Sequence, residues 1–214
     1  MCPSDHDISD YQSEIASLRP GRPSVSPSLM LAAAETLFAD TDSPRTITMD
    51  AIAAAAGVGK GTLFRAFGSR EGLLDALWVA KFSALRETVD EGEPPLGPGT
   101  PSDKRVVALL DAILTFKLEN RHLIRAREVG PGLLQSEHYK WIHSFVQKLI
   151  EDAAPGVMAD EAGYAAHVLL AALHIDLIEE LLVNGLSLQA IRCAQAAHAS
   201  AVIDDARHRG ASRG

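Results

Sequence analysis

Along the chain, apolar positions recur at spacings of three and four, and no run alternates strictly between apolar and polar, so the pattern predicts an all-α fold. Residues 1–26 are polar, broken by prolines and end near Arg19-Pro20-Gly21-Arg22-Pro23; a flexible arm is expected there. A first helix is expected to start with Ser26 as N-cap and Pro27 at its first position, turning Met30, Ala33, Ala34, Leu37 and Phe38 toward a core. Thr48 can cap a short second helix that carries Asp50 in its first turn, where the helix dipole favours a carboxylate. Gly57-Val58-Gly59 stops that helix in a tight turn that suits a positive φ. A further short helix, over about residues 60–67, follows at once. Gly68-Ser69 closes it and caps the next, which runs to about residue 90 with Leu73, Leu74, Leu77, Trp78, Lys81 and Leu85 on one stripe.

Residues 91–101 hold Pro94, Pro95, Pro98 and Pro101 with Gly92, Gly97 and Gly99, a composition that resists regular structure and reads as a joint between domains at 27–90 and 102–209. Beyond it helices are expected at about 102–120, 121–129, 136–153, 160–184 and 188–208, before a tail at 210–214. Gly130-Pro131-Gly132, Pro155-Gly156 and Asn184-Gly185 separate them.

The chain has 214 residues, 47% hydrophobic and 22% charged, enough for one large domain or two small ones. Its 28 acidic against 20 basic side chains leave a formal charge of −8, which excludes a protein that coats nucleic acid over its whole surface. The balance is uneven. Residues 19–81 hold seven basic and six acidic side chains, so the acidity lies elsewhere and a local contact with nucleic acid stays open. Two cysteines at opposite ends, Cys2 and Cys193, suit neither a disulfide framework nor a zinc knuckle. Neither a secretory signal nor a membrane span is legible, and a cytoplasmic chain is expected.

Two short helices joined by a glycine turn, with a third across them, describe a helix-turn-helix, whose second helix enters the DNA major groove. Lys60, Thr62, Arg65 and Arg70 offer partners for phosphates or base edges, while Leu63 and Phe67 are placed to be the buried face. Gly59 and Gly61 leave the first turn bare enough for close backbone approach. Gly57-Val58-Gly59-Lys60-Gly61-Thr62 is not a nucleotide-binding loop: Ala54 stands where that motif needs glycine, and Gly61 where it needs a hydroxyl.

The segment TMDAIAAAAGVGKGTLFRAFGSREGLL, residues 48–74, resembles the N-terminal DNA-binding domain of the TetR family of bacterial transcriptional regulators. Ile52, Ala53, Ala56, Gly57, Val58, Lys60, Gly61, Thr62, Leu63, Phe67, Ser69, Glu71 and Leu73 carry the likeness, and residues 32–38 look like that family's first helix. The resemblance implies DNA contacts from Thr48, Gly59, Lys60, Gly61, Thr62, Phe64, Arg65 and Arg70. Phe64 stands where the family usually has tyrosine, Gly59 where serine is common and Ala66 where histidine or tyrosine is common; each removes a polar group. Arg70 replaces the usual lysine and keeps its charge, so a phosphate contact is expected of it. The arm from Arg19 to Pro23 contains a Gly-Arg-Pro core, with Arg22 at its centre, like that of AT-hooks, which place arginine in a narrow minor groove; a solubilising tail is the competing reading.

The resemblance further implies a helical C-terminal domain that encloses a small-molecule effector, a homodimer formed by the last two helices, and a palindromic double-stranded DNA operator. Candidate pocket residues are Phe116, His122, Trp141, Phe145, His167, Leu170 and His174. Aromatic residues at helical spacing are more often plain core, and His167 and His174, seven apart on one expected helix, are either core histidines or a polar pair in a cavity. Small and apolar positions of the last helices, including Ala162, Ala166, Leu169, Ile175, Ala190, Ala194, Ala197 and Ala201, suit close helix approach between copies or within one chain. No spacing supports a metal site or a cofactor, and no nucleophile, base or paired carboxylates mark an enzyme. Two rivals to a ligand-released repressor remain open: a helical binding protein or enzyme with a helix-turn-helix-like corner, and a regulator without effector.

Overall fold

The computed structural model describes residues 26–41, 43–126, 134 and 136–212. The arm with Arg19 and Arg22 lies outside them. Ten α-helices and one 3-10 turn make up the described residues, with no strand among them. The first is α1 (Pro27–Ala39), followed by the 3-10 turn Pro44–Thr46, α2 (Met49–Ala55), α3 (Lys60–Phe67) and the 22-residue α4 (Arg70–Glu91). After the proline-rich stretch come α5 (Ser102–Glu119), α6 (Arg121–Ala126), α7 (Glu137–Ala153), α8 (Ala159–Ala171), α9 (Ile175–Val183) and α10 (Leu188–Ala211).

The caps act as their side chains predict. Ser26, Thr48, Ser69, Ser136 and Ser187 each accept a bond from a backbone N–H in the first turn of the helix they open. Gly57 has φ 65° and Gly68 φ 73°, so the two turns that bracket α3 use the left-handed region that glycine enters without a Cβ clash.

Two apolar clusters share the long helix α4. Its first half contributes Leu73, Leu74 and Leu77 to a small core with Met30, Ala34, Phe38, Met49, Ile52, Ala53 and Leu63. Its second half sends Phe82 and Val89 into a larger core built on α5, α7, α8 and α10. At about 1.5 Å per residue, 22 residues form a rigid strut of roughly 33 Å through both cores. The stretch 91–101 is irregular, as its composition predicts, but it is pinned. Arg105 donates to the carbonyls of Leu96 (2.6 Å) and Val89.

Two features differ from the pattern in the sequence. Leu123, on α6, is buried in the N-terminal core and not in the C-terminal one. The apolar run 160–184, expected as one helix, is two: α8 ends at Ala171, and His174 caps α9 with φ −62° and ψ 130°. No glycine or proline breaks it. The carbonyl of Leu173 leaves the helical ladder and accepts from Lys117 Nζ on α5 at 2.8 Å, so a tertiary contact replaces the missing turn.

Candidate nucleic-acid interface

The outer face of α3 is built by placing one residue inside and the rest out. Leu63 is fully buried beneath the helix, which turns Lys60, Gly61, Thr62, Phe64 and Arg65 to the surface. Phe64 is 38% exposed, a large apolar ring on an otherwise polar face. Thr48, exposed at the start of α2, accepts from Ala51 N at 3.2 Å and thereby satisfies one of the orphan donors of that helix. A Cβ built on Gly61 would meet nothing within 4 Å, and one on Gly59 would only graze the Thr62 hydroxyl at 4.0 Å, so open space lies in front of the α3 N-terminus.

The cations on this face fall into three situations. Arg65 is exposed and makes no hydrogen bond or ion pair among the described residues. Lys60 Nζ lies 2.8 and 3.0 Å from the two carboxylate oxygens of Asp50 and 5.9 Å from the centre of the Phe64 ring. Both partners of that pair are more than half exposed, and exposed pairs contribute only about 0–1 kcal/mol, so the lysine is free to exchange Asp50 for another anion. Arg70 is turned inward. Its Nε donates to the Ile47 carbonyl at 3.0 Å and one Nη to the Pro44 carbonyl at 2.9 Å, and its guanidinium lies 5.6 Å from the centre of the Phe38 ring. The phosphate contact expected of Arg70 gives way here to a brace that ties α4 to the segment entering α2. An arginine fork holds two N–H groups in one rigid plane for two carbonyls, a geometry that a lysine ammonium on its flexible stem does not preset.

The seven residues expected around a ligand do not converge. Phe116, Trp141 and Phe145 join Trp78, Phe82 and His138 in an aromatic chain at the edge of the larger core, with ring centroids 5.0–5.9 Å apart. Arg86 and Arg105 lie over its Trp141 and Phe145 rings at 5.0 and 4.9 Å. Leu170 is buried. His167 lies on the surface with its Nδ1 2.7 Å from Tyr139 Oη and its ring 3.8 Å from that of His143; burial and the charge of His143 hold its pKa below the usual histidine range. His174, beyond the break between α8 and α9, is exposed and faces Asp176 at 3.7 Å. The shared stripe expected of His167 and His174 is lost with the continuous helix. His122 lies on α6 with a buried Nε2 that has no hydrogen-bond partner among the described residues, and burial lowers its pKa.

A route between the two cores runs through α6. Leu123 sits in the N-terminal core, Arg45 Nε donates to the Arg125 carbonyl at 3.1 Å, and the Arg125 guanidinium reaches Glu179 on α9 at 2.6 Å. None of these side chains carries a motif.

Residues 30–77, which hold α1, the helix-turn-helix and the start of α4, match the family described as bacterial regulatory proteins, tetR family. Over that segment the chain matches the TetR family. Its helix-turn-helix is that family's DNA-binding domain. Over 131 residues, 58% of this chain and 66% of the relative, it is 30% identical to the uncharacterized HTH-type transcriptional regulator YhgD of Bacillus subtilis (strain 168). The match thus spans just under two thirds of that relative's length. Two crystal structures from Rhodococcus sp. RHA1 share the fold. One, a TetR-like transcriptional regulator, superposes with a TM-score of 0.54 at 20% identity over 80% of this chain and 92% of that one. The other, a TetR transcriptional regulator, gives 0.57 at 18% identity over 82% and 93%. No described helix of the TetR-type fold found here is long and apolar enough to cross a membrane.

Proposed function

We propose that this chain is a homodimeric transcriptional repressor that reads a palindromic operator with α3 and is released from it by a small molecule. The observation that carries the reading is the α3 face: an exposed Arg65, an exchangeable Lys60, the Thr62 hydroxyl and a bare glycine N-terminus, held at a fixed angle by Arg70. Lys60 and Thr62 are placed for base edges at the entering end of the helix, Arg65 and the backbone near Gly59 and Gly61 for phosphates, and Phe64 for a thymine methyl or sugar. Thr48 adds a hydroxyl at the start of α2.

Dimerisation is assigned to the exposed part of the last helices. Ala162, Ala166, Leu169 and Ile175 are buried within the chain, which leaves them no part in it. Ala190, Ala194, Ala197 and Ala201 form an exposed stripe along α10, and Leu177, Val183 and Leu186 lie exposed on and beside α9. A two-fold axis through that surface would set two α3 helices against half-sites about 34–36 Å apart. Release by a ligand requires that the ligand favour a dimer whose α3 helices no longer fit that spacing. The Leu123 and Arg45–Arg125–Glu179 contacts give such a change a path to the reading heads.

Selection of bound sequences from random DNA tests the reading. A symmetric site with two half-sites one turn apart is the expected result; sequence-blind, salt-sensitive binding alone would remove the specific-regulator reading.

A further inference from the structure

A groove of about 490 Å³ lies where α1, α4 and α5 meet, a volume in the range of small-molecule sites. Ala84, Leu85 and Phe116 line it with apolar surface, and Glu35, Lys81 and Glu119 add charged groups. Its other polar groups are engaged. The Thr88 hydroxyl donates to the Ala84 carbonyl at 2.9 Å, the Thr115 hydroxyl accepts from Arg192 at 2.7 Å, and the Asn120 amide donates to the Phe116 carbonyl at 2.8 Å. Lys81 and Glu35 form an ion pair across α4 and α1 and neutralise each other. Glu119 is left as a carboxylate with no hydrogen-bond or ion-pair partner among the described residues. The groove is therefore an apolar surface with one unbalanced negative charge.

We propose that this groove binds a small organic monocation with an apolar body. The body would cover Leu85 and Phe116, whose ring is backed edge-on by Trp78 at 5.2 Å, while the ammonium pairs with Glu119. A neutral molecule of the same shape forgoes the charge-assisted bond, and an anion meets Glu119 unfavourably. The occupant would touch α1 of the reading domain together with α4 and α5, so it acts on the junction and not inside the larger core. The inference deepens the ligand-responsive reading above, and it is tested without DNA.

Calorimetric titration of the full chain with 4-phenylbutylamine, 4-phenylbutanol and 4-phenylbutyrate separates charge from shape. Saturable binding of the amine, at least about tenfold tighter than that of either isostere, is expected. Glu119→Gln should abolish the preference for the amine, and Ala84→Phe, which puts a bulky ring into the lining, should abolish its binding; thermal melting checks that both variants fold. Absence of saturable amine binding, equal affinity for the three probes, or undiminished amine binding in both folded variants overturns the proposal. A protein that reads its selected operator but ignores the amine loses this inference alone; one that binds the amine but selects no operator loses the regulator reading.

Discussion

The Nζ of Lys117 lies 2.8 Å from the carbonyl oxygen of Leu173, and this bond joins the last turn of α5 to the break between α8 and α9. Lys117 is partly buried, and the loss of solvent around its ammonium pushes its pKa down from 10.5 to about 8. Between those values an unfolded lysine still holds its proton while the folded one has lost it. Stability should therefore rise with pH from about 8 toward 10.5, and below 8 the cost of the buried charge is present in full. At 1.36 kcal/mol per unit the whole effect is about 3 kcal/mol. Guanidinium unfolding at pH 7.5 and 9.5 should show a gain in the native chain that Lys117→Met lacks. Equal slopes in the two proteins would contradict the burial argument. The lost Leu173 partner lowers the variant at both pH values and does not enter the difference.

Arg70 should behave as a brace. Arg70→Ala removes two bonds from a charged donor to carbonyls, each contributing about 1.5–3 kcal/mol, and should destabilise the N-terminal core measurably. Operator affinity should fall while the slope of affinity against salt stays unchanged, because no phosphate contact is lost. Arg70→Lys keeps the charge without the fork and should not rescue it. A slope reduced by about 1 in Arg70→Ala, restored by lysine, would return this residue to the phosphate backbone.

Arg65 and Lys60 should differ from it and from each other. Arg65→Ala is expected to weaken all operators alike and lower the salt slope by about 1, with unfolding unaffected; Lys60→Ala should relax preference at one base position. Fluorescence anisotropy over a panel of single-base operator variants distinguishes the two patterns. Identical, sequence-independent losses would refute this division of labour.

Leu123 ties the two units together through packing. Its replacement by alanine opens a cavity in a core of eleven residues and should cost about 2–5 kcal/mol in urea unfolding. Because α6 belongs by sequence to the C-terminal half, the loss should show in hydrogen exchange of α1 and α2 amides. Protection unchanged in α1 would mean that the contact carries no stability to the reading domain.

The exposed α10 stripe should tolerate no charge at its centre if two copies meet there. Ala197→Glu is expected to yield folded monomers in sedimentation equilibrium and to lose cooperative binding to both half-sites, whereas Ala171→Glu, on α8, should remain dimeric. A dimer that survives Ala197→Glu would move the interface elsewhere.

Much of this was written in local patterns. Helix periodicity, serine and threonine caps, and the glycines at 57 and 68 are decided within a few residues of themselves, which is why α1 to α4 and the helix-turn-helix are legible without coordinates. The exposed side of α3 follows from the same periodicity, because burying Leu63 turns Thr62, Phe64 and Arg65 away from the core. Contacts between distant segments are another matter. Whether Arg70 reaches phosphate or the Ile47 carbonyl depends on where α4 crosses the entry to α2, a separation of 23 residues. Lys117 can take the Leu173 carbonyl, 56 residues away, only because the fold brings the last turn of α5 to the break after α8, and that contact overrides a run whose periodicity alone continues through the break. Leu123 is one leucine among many by sequence, and the turn between α5 and α6 sends it into the other core. Periodicity specifies which face of a helix is buried, but not against what, and the braces, the broken helix and the junction groove all depend on that second choice.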